Sequence, residues 1–354
     1  MAKKALIGMS GGVDSSVAAF LTQKAGLECI GATMNLYNAS DAACCSADNV
    51  ADARAVAQRL GMDFHVFDFS DEFRAKVMDH FAESYESGLT PNPCIECNRH
   101  LKFSKFLEQA LTLGCDYVVT GHYACIRKGE ASGRHFLYKA KDEAKDQSYF
   151  LYGIPQENLS RVLFPLGDLT KAEVRQIAEQ QGFINAKKKD SQDICFIPDG
   201  DYLAFLKQHT GKQYPAGKYL DMDGNVVGSH SGAVGYTIGQ RKGLGIALGA
   251  PVYVCGKDME TNTVTLGPNE ALFRTTLLAD DWNWLAFPTP KESMRLQAKA
   301  RSRMTEQPAT LYPEENGYVR VVFDQPQRAL TPGQAIVLYD GDLVIGGGII
   351  RKVL

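Results

Sequence analysis

The sequence predicts an α/β protein, a doubly wound parallel sheet followed by two smaller, mainly β domains. Three observations predict it. Over the first half, strand-like apolar runs alternate with helical stripes, the order that builds a parallel sheet with helices on both faces. A glycine-rich turn, Gly8-Met9-Ser10-Gly11-Gly12-Val13-Asp14-Ser15, joins the first run to the first helical stripe. From about residue 211 the texture changes to short runs punctuated by glycine, as in YTIGQRKGLGI and PVYVCGKD.

Taken in order, Ala5 to Met9 reads as a buried strand and Val13 to Lys24 as a helix. Cys29 to Leu36 is the second strand, followed by a helix over Ser46 to Leu60 that Gly61 stops. Phe64 to Phe69 is the third strand and Asp71 to Glu86 its helix. Leu101 to Leu113 carries apolar residues at 103, 106, 107, 110 and 111, a helical stripe ended by Gly114. Tyr117 to Thr120 is a short strand running into Gly121-His122. Ligands of such sheets bind beyond the carboxyl ends of the strands. Thr170-Lys171-Ala172-Glu173 is a capping-box pattern opening a helix to Gln181. Turn signals at Glu315-Asn316-Gly317, Thr331-Pro332-Gly333 and Asp340-Gly341 divide the last β region. The domains expected are 1–200, 201–274 and 275–354, without a repeat.

A chain of 354 residues exceeds a single typical core. Its 45% hydrophobic and 22% charged content is ordinary for a globular protein. The net charge of −3 gives no global attraction to nucleic acid, so such a partner must be met by local patches. No apolar run approaches the roughly 18 residues of a membrane span, and MAKKALIGMSGG has no signal-peptide core. A cytoplasmic location is expected. The nine cysteines form an odd set in a chain without an export signal, so reduced thiols or metal ligands are expected rather than a disulfide framework. Cys29, Cys115, Cys125 and Cys255 sit in or beside strand-like runs and read as small core residues.

The turn at residues 8–15 is built for an anion. Its glycines allow a tight turn that presents backbone N–H groups, the helix start adds partial positive charge, and Ser10, Ser15 and Ser16 add hydroxyls. It matches neither the Walker loop nor the dinucleotide fingerprint. Asp14 is expected to organise the loop's N–H groups or a Mg²⁺ on the phosphates.

TPNPCIECN, residues 90–98, sets Cys94 and Cys97 three apart. A zinc site needs four ligands. The remaining cysteine pair, Cys44-Cys45, is adjacent, and the seven histidines show no ligand spacing. A thioredoxin-type pair belongs near the start of a small βαβ domain, whereas here two prolines precede it. Cys97 is placed just before the Leu101–Leu113 helix, where the dipole lowers a thiol below its usual value of about 8.5. Cys195 follows the basic run Lys187-Lys188-Lys189 in an apolar segment. Arg295, Gln297, Lys299, Arg301 and Arg303 fall on one face if 295–303 is a strand, a stripe suited to a phosphate backbone.

Six motifs in order, SGGVDS, PNPCIECNRHLKF, TGHYA, KDQSYFL, KKDSQDICFI and TPGQA, resemble the tRNA-specific 2-thiouridylases. SGGVDS itself resembles the pyrophosphate loop of the adenine-nucleotide α-hydrolase superfamily. The resemblance runs from about residue 5 to the C-terminus and implies a C-terminal β-barrel contacting tRNA. It also implies an activity: ATP with Mg²⁺ adenylates O2 of the wobble uridine, and a cysteine persulfide delivers sulfur to C2, giving 2-thiouridine, AMP and pyrophosphate. It places Cys97 at the nucleophile and Cys195 at the persulfide carrier, leaving a Cys97–Cys195 disulfide. The nucleotide falls to Gly8, Met9, Ser10, Gly11, Gly12, Val13, Asp14 and Ser15, with Met34 and Gly121. The tRNA falls to Asn92, Pro93 and Cys94 at the target base, and to His122, Lys145, Asp146, Gln147, Arg301, Ser302 and Gln334. A sulfur-relay carrier or cysteine desulfurase supplies the persulfide. Cys94 stands where many relatives have an acidic residue, which opens an alternative: a [4Fe-4S] cluster on Cys94, Cys97 and Cys195. The other readings are an amide-forming synthetase using the same loop, and a nucleotide-regulated RNA-binding protein with zinc on Cys94 and Cys97.

Overall fold

The structure is a computed structural model that describes residues 2–37, 47–130, 133–188 and 194–354. Cys44, Cys45 and the Lys189–Asp193 part of the basic motif lie outside the described residues.

The first strand, β1 (Lys4–Gly8), feeds helix α1 (Val13–Lys24), and β2 (Glu28–Asn35) feeds α2 (Ala47–Arg59). β3 (Asp63–Asp68) lies at one edge, β4 (Tyr117–Val119) lies on the other side of β1, and the two-residue strand Val162–Leu163 closes the far edge. All pairings in this five-stranded sheet are parallel. Period-2 alternation on β1 explains the two layers. Leu6 packs into a cluster with Val118, Phe106 and Leu101 on one face. Ala5 and Ile7 point the other way, to Val17, Val56 and Val119. Truncating a fully enclosed ring such as Phe106 to alanine costs about 3–5 kcal/mol, so these layers fix where the strand ends lie.

Residues 70–86 are helical with a π-helical turn at Arg74–Met78, and residues 93–112 form one helical run with a π-helical stretch at Cys97–Lys105. The second run begins at Pro93, not near Leu101: Asn92 accepts the Cys94 N–H through its side chain at 3.2 Å, and Pro93 occupies the first helical position. Cys97 therefore lies one turn inside the helix and is only 7% exposed. The expectation that it precedes the helix is corrected; Asn92-Pro93 was a start signal read as loop. The capping box at Thr170 is formed, with Glu173 closing onto the Thr170 backbone and hydroxyl.

Helix Tyr202–Thr210 opens the central region, whose four strands pair in one small sheet. The last region is a closed antiparallel barrel in which Phe273–Trp284 pairs with both Val319–Arg328 and Leu343–Val353. A hairpin from the first region, Cys125–Lys128 with His135–Tyr138, extends the barrel sheet through the pair Leu343–Tyr138. The strand Met294–Lys299 ends before Arg301, so the stripe expected over 295–303 does not form. Arg295 is paired with Asp324 at 2.5 Å and Lys299 lies 3.9 Å from Glu306. Among the described residues no helix is long and apolar enough to cross a membrane.

Candidate active site

The glycine-rich turn is held in shape by its own hydroxyls. Ser15 Oγ accepts the Ser10 N–H at 3.1 Å and donates to the Gly12 carbonyl at 3.0 Å, and Ser16 Oγ donates to the same carbonyl at 3.0 Å. Gly11 has φ +73°, and a Cβ there would lie 2.2 Å from the Asn49 carbonyl oxygen at the start of α2. A side chain is excluded at Gly11 by both conformation and space. Gly121, beyond the end of β4, lets Thr120-Gly121-His122 approach α1 so closely that a Cβ would meet the Ser15 nitrogen at 2.7 Å.

Residues outside the motif grip the loop. Asn185 Nδ2 donates to the Gly11 carbonyl at 3.0 Å and to Ser16 Oγ at 2.9 Å, while its own Oδ1 is buried without a partner among the described residues. Lys188 Nζ donates to Gly11 at 3.3 Å and to Asn49 and Asp52 at 2.5 and 2.6 Å. Asp14 takes Lys171 Nζ at 2.7 and 2.8 Å and the Tyr123 hydroxyl at 2.8 Å. Lys171, Asn185, Tyr123 and Lys188 were not singled out as site residues from sequence. Lys188 stood within the basic run and Lys171 within the capping box, but their reach of more than a hundred positions has no local signature.

Cys97 and Cys195 share one hydrophobic cluster. Cys97 packs with Leu101, Phe106, Phe196 and Ile197, and Ile194 and Cys195 pack against that cluster. Phe196 is held edge-on by Phe73 and Phe81. Tyr37, two residues past the end of β2, donates its hydroxyl to the Cys195 carbonyl at 3.1 Å. Cys195 is thus tied beyond the carboxyl end of β2. Met34, at the end of β2, packs against the same cluster.

Cys94 is exposed, in contrast to Cys97. Among the remaining thiols, burial pushes Cys29 and Cys125 up to about 11 and raises Cys115 and Cys255, so these are poor nucleophiles at neutral pH. Among the described residues no three His, Cys, Asp or Glu side chains group in a way that could hold a metal ion.

A cleft of about 1,020 Å³ opens where the three regions meet. Asn92, Pro93, Cys94, Arg301, Ser302 and Gln334 line it, opposite the loop Gly235–Gln240 and Ile194. The structure brings these candidates together although they come from opposite ends of the chain. His122 and Lys145-Asp146-Gln147 are not among its lining residues. His122 packs between Phe103 and Phe164 with Nδ1 2.6 Å from Thr120 Oγ1, and burial holds it well below the usual histidine range. Asp146 accepts from the Ala140 and Ser148 backbones, and Gln147 exchanges hydrogen bonds with the Tyr123 backbone at 2.9 Å each way. Arg301 spends its guanidinium on the Ala329 and Ile238 carbonyls at 3.0 Å and on Thr331 Oγ1.

Comparison with known proteins bears on this arrangement. Residues 3–199 match a family described as a tRNA methyl transferase HUP domain, 203–268 its PRC-barrel domain, and 274–350 an aminomethyltransferase β-barrel domain. Two full-length relatives are named tRNA-specific 2-thiouridylase MnmA. That of Clostridioides difficile is 48% identical over 100% of this chain and 99% of its own length. That of Acetivibrio thermocellus is 48% identical over 99% of each. A third of the same name, from Symbiobacterium thermophilum, is 48% identical over 100% of this chain and 93% of its own.

Proposed function

The chain belongs to the tRNA-specific 2-thiouridylases, and on that premise we propose how its site carries out the reaction. It is a tRNA sulfurtransferase that uses ATP, and tRNA is its substrate. The HUP-domain description of residues 3–199 and the anion-shaped loop agree on nucleotide binding.

The loop Gly8–Ser15 takes the pyrophosphate end of ATP against the start of α1, with Mg²⁺ travelling on the phosphates, while Met34 and Gly121 flank the adenosine. Lys171 neutralises Asp14, which otherwise presents a negative charge to the phosphates. The wobble uridine enters the three-way cleft, with Asn92, Pro93 and Cys94 at the base. Ser302 and Lys145 face the polynucleotide; His122, Asp146, Gln147, Arg301 and Gln334 shape the surfaces that receive it. Uridine O2 attacks the α-phosphorus and pyrophosphate departs, which turns a poor leaving group into AMP. The outer sulfur of a Cys195 persulfide attacks C2 and displaces AMP, which leaves the base linked through that sulfur to Cys195. The Cys97 thiolate then attacks Cys195 Sγ; the sulfur–sulfur bond breaks, 2-thiouridine leaves and a Cys97–Cys195 disulfide remains. A sulfur-relay carrier or cysteine desulfurase reloads Cys195. The chain divides functionally at 1–200, 201–274 and 275–354, and the reaction is cytoplasmic.

The observation that carries this reading is the Tyr37–Cys195 tie. It holds Cys195 beyond the carboxyl end of β2, which supports its reading as the sulfur carrier of a site at the strand ends. The test is to assay Cys97→Ser and Cys195→Ser for both products. Each variant is expected to release pyrophosphate with tRNA and to lose 2-thiouridine. Full turnover by Cys97→Ser would point instead to an amide-forming ATP pyrophosphatase. Activity that tracks bound iron would point to the cluster.

A further inference from the structure

We propose that Cys94 is the thiol that reopens the enzyme after each turnover, by exchange with the Cys97–Cys195 disulfide. The proposal rests on the persulfide route above. That route ends with an oxidised pair that must be reduced before sulfur can be reloaded, and the structure buries one sulfur of this pair and half-buries the other. Cys97 is 7% exposed within a cluster of Leu101, Phe106, Phe196 and Ile197, and Cys195, half-buried, packs on the same cluster. A protein reductant must bring its own thiolate in line with a disulfide sulfur, so an enclosed disulfide is reduced slowly.

Cys94 has the complementary placement. It is exposed, it lines the open cleft beside Ile194, and it stands one helical turn before Cys97 on the continuous run 93–112. Residues i and i+3 share a helix face. Helix geometry sets their Cα atoms about 5 Å apart, inside the window of about 4.4–6.8 Å that a disulfide accepts. The pair is thus an exposed thiol and an enclosed one at bonding range. The sequence alone, in assigning Cys97 to Cys195, left Cys94 without a chemical step.

The exchange balances. The Cys94 thiolate attacks Cys97 Sγ; the Cys94–Cys97 bond forms, the Cys97–Cys195 bond breaks, and Cys195 leaves as a thiolate ready to take a new sulfane sulfur. The two-electron oxidation now resides at the surface. An external protein dithiol attacks Cys94 Sγ, is itself oxidised to a disulfide, and returns Cys94 and Cys97 to thiols.

The test is a time course. Enzyme loaded with persulfide is mixed with ATP and tRNA in the absence of reductant, quenched by alkylation at intervals, and mapped by peptide mass spectrometry. The proposal expects Cys97–Cys195 to appear first and to be replaced by Cys94–Cys97, with Cys195 alkylated. In Cys94→Ser and Cys94→Ala the Cys97–Cys195 disulfide should persist. A protein dithiol of the thioredoxin class should reduce it at least tenfold more slowly than the wild-type disulfide, whereas a small dithiol reduces both. The proposal is overturned if wild-type protein retains Cys97–Cys195, or if the protein dithiol reduces both variants as fast as wild type. If 2-thiouridine forms with no disulfide among the three cysteines, the persulfide route itself fails, and the exchange with it.

Discussion

The carboxamide of Gln334 donates to the Thr90 carbonyl at 2.8 Å, joining the C-terminal barrel to the segment that leads into the thiol-bearing helix. The same nitrogen lies 3.4 Å from the Pro91 carbonyl, and the Thr90 N–H donates to Pro332 at 2.9 Å. Gly333, between them, has φ +90° and leaves only 2.6 Å between an added Cβ and the Thr90 nitrogen. The barrel thus sets where Asn92, Pro93 and Cys94 begin.

Gly333→Ala should therefore damage the site more than the fold. The positive φ and the backbone clash cost about 1–3 kcal/mol if borne in place, and the cheaper response is displacement of residues 90–94. The expected result is a fall in thiolation rate of tenfold or more with a modest loss in urea stability. Gln334→Ala, which removes a hydrogen bond worth about 1 kcal/mol, should give a smaller loss of the same kind.

Arg301 supports the cleft from within. The side chain bridges the central-domain loop at Ile238 to the barrel at Ala329 and Thr331. Arg301→Ala should weaken tRNA binding by loosening that loop, while the slope of log affinity against log salt stays as in wild type. A phosphate contact would instead reduce the slope by about one. Binding titrations at several salt concentrations separate the two.

Lys171 is mostly buried and holds both oxygens of Asp14. Without it, the carboxylate next to the pyrophosphate loop loses its counter-charge and repels phosphate. Lys171→Met is expected to raise KM for ATP roughly tenfold, the scale of one charge-assisted contact, with tRNA affinity within about twofold of wild type. Steady-state kinetics in ATP, alongside tRNA binding, test this.

His122 gives a pH signature. Burial between Phe103 and Phe164 holds it well below its usual range, so in acid the unfolded chain binds a proton that the folded chain refuses. Stability then rises with pH across this window. The contribution is complete above the unfolded value of about 6.5 and is lost as pH falls below it. Melting temperatures of wild type and His122→Gln between pH 5 and 7.5 should converge toward the acid end, as the variant lacks this slope.

How much of this was legible in the sequence depends on how local the signal is. The parallel strands, the α1 start at the glycine turn and the Thr170 capping box are written in neighbouring residues, and they fold as read. Cys97 was placed wrongly because the Leu101–Leu113 stripe outweighed the Asn92-Pro93 start signal, and a π-helical stretch shifts the periodicity between them. The Arg295–Arg303 stripe failed because the strand stops at Lys299 and the chain turns inward, a matter settled by Ala329, Ile238 and Thr331 far away in sequence. The grip of Asn185 and Lys188 on Gly11 likewise depends on tertiary approach.

The most direct test of the account is mass spectrometry of tRNA nucleosides after incubation of the protein with ATP, Mg²⁺, tRNA and a persulfide donor, with AMP counted in the same reaction. The account predicts a wobble uridine heavier by one oxygen-to-sulfur exchange, one AMP for each, and no 2-thiouridine from Cys97→Ser. AMP formed without 2-thiouridine, or 2-thiouridine formed by Cys97→Ser at the wild-type rate, would contradict it.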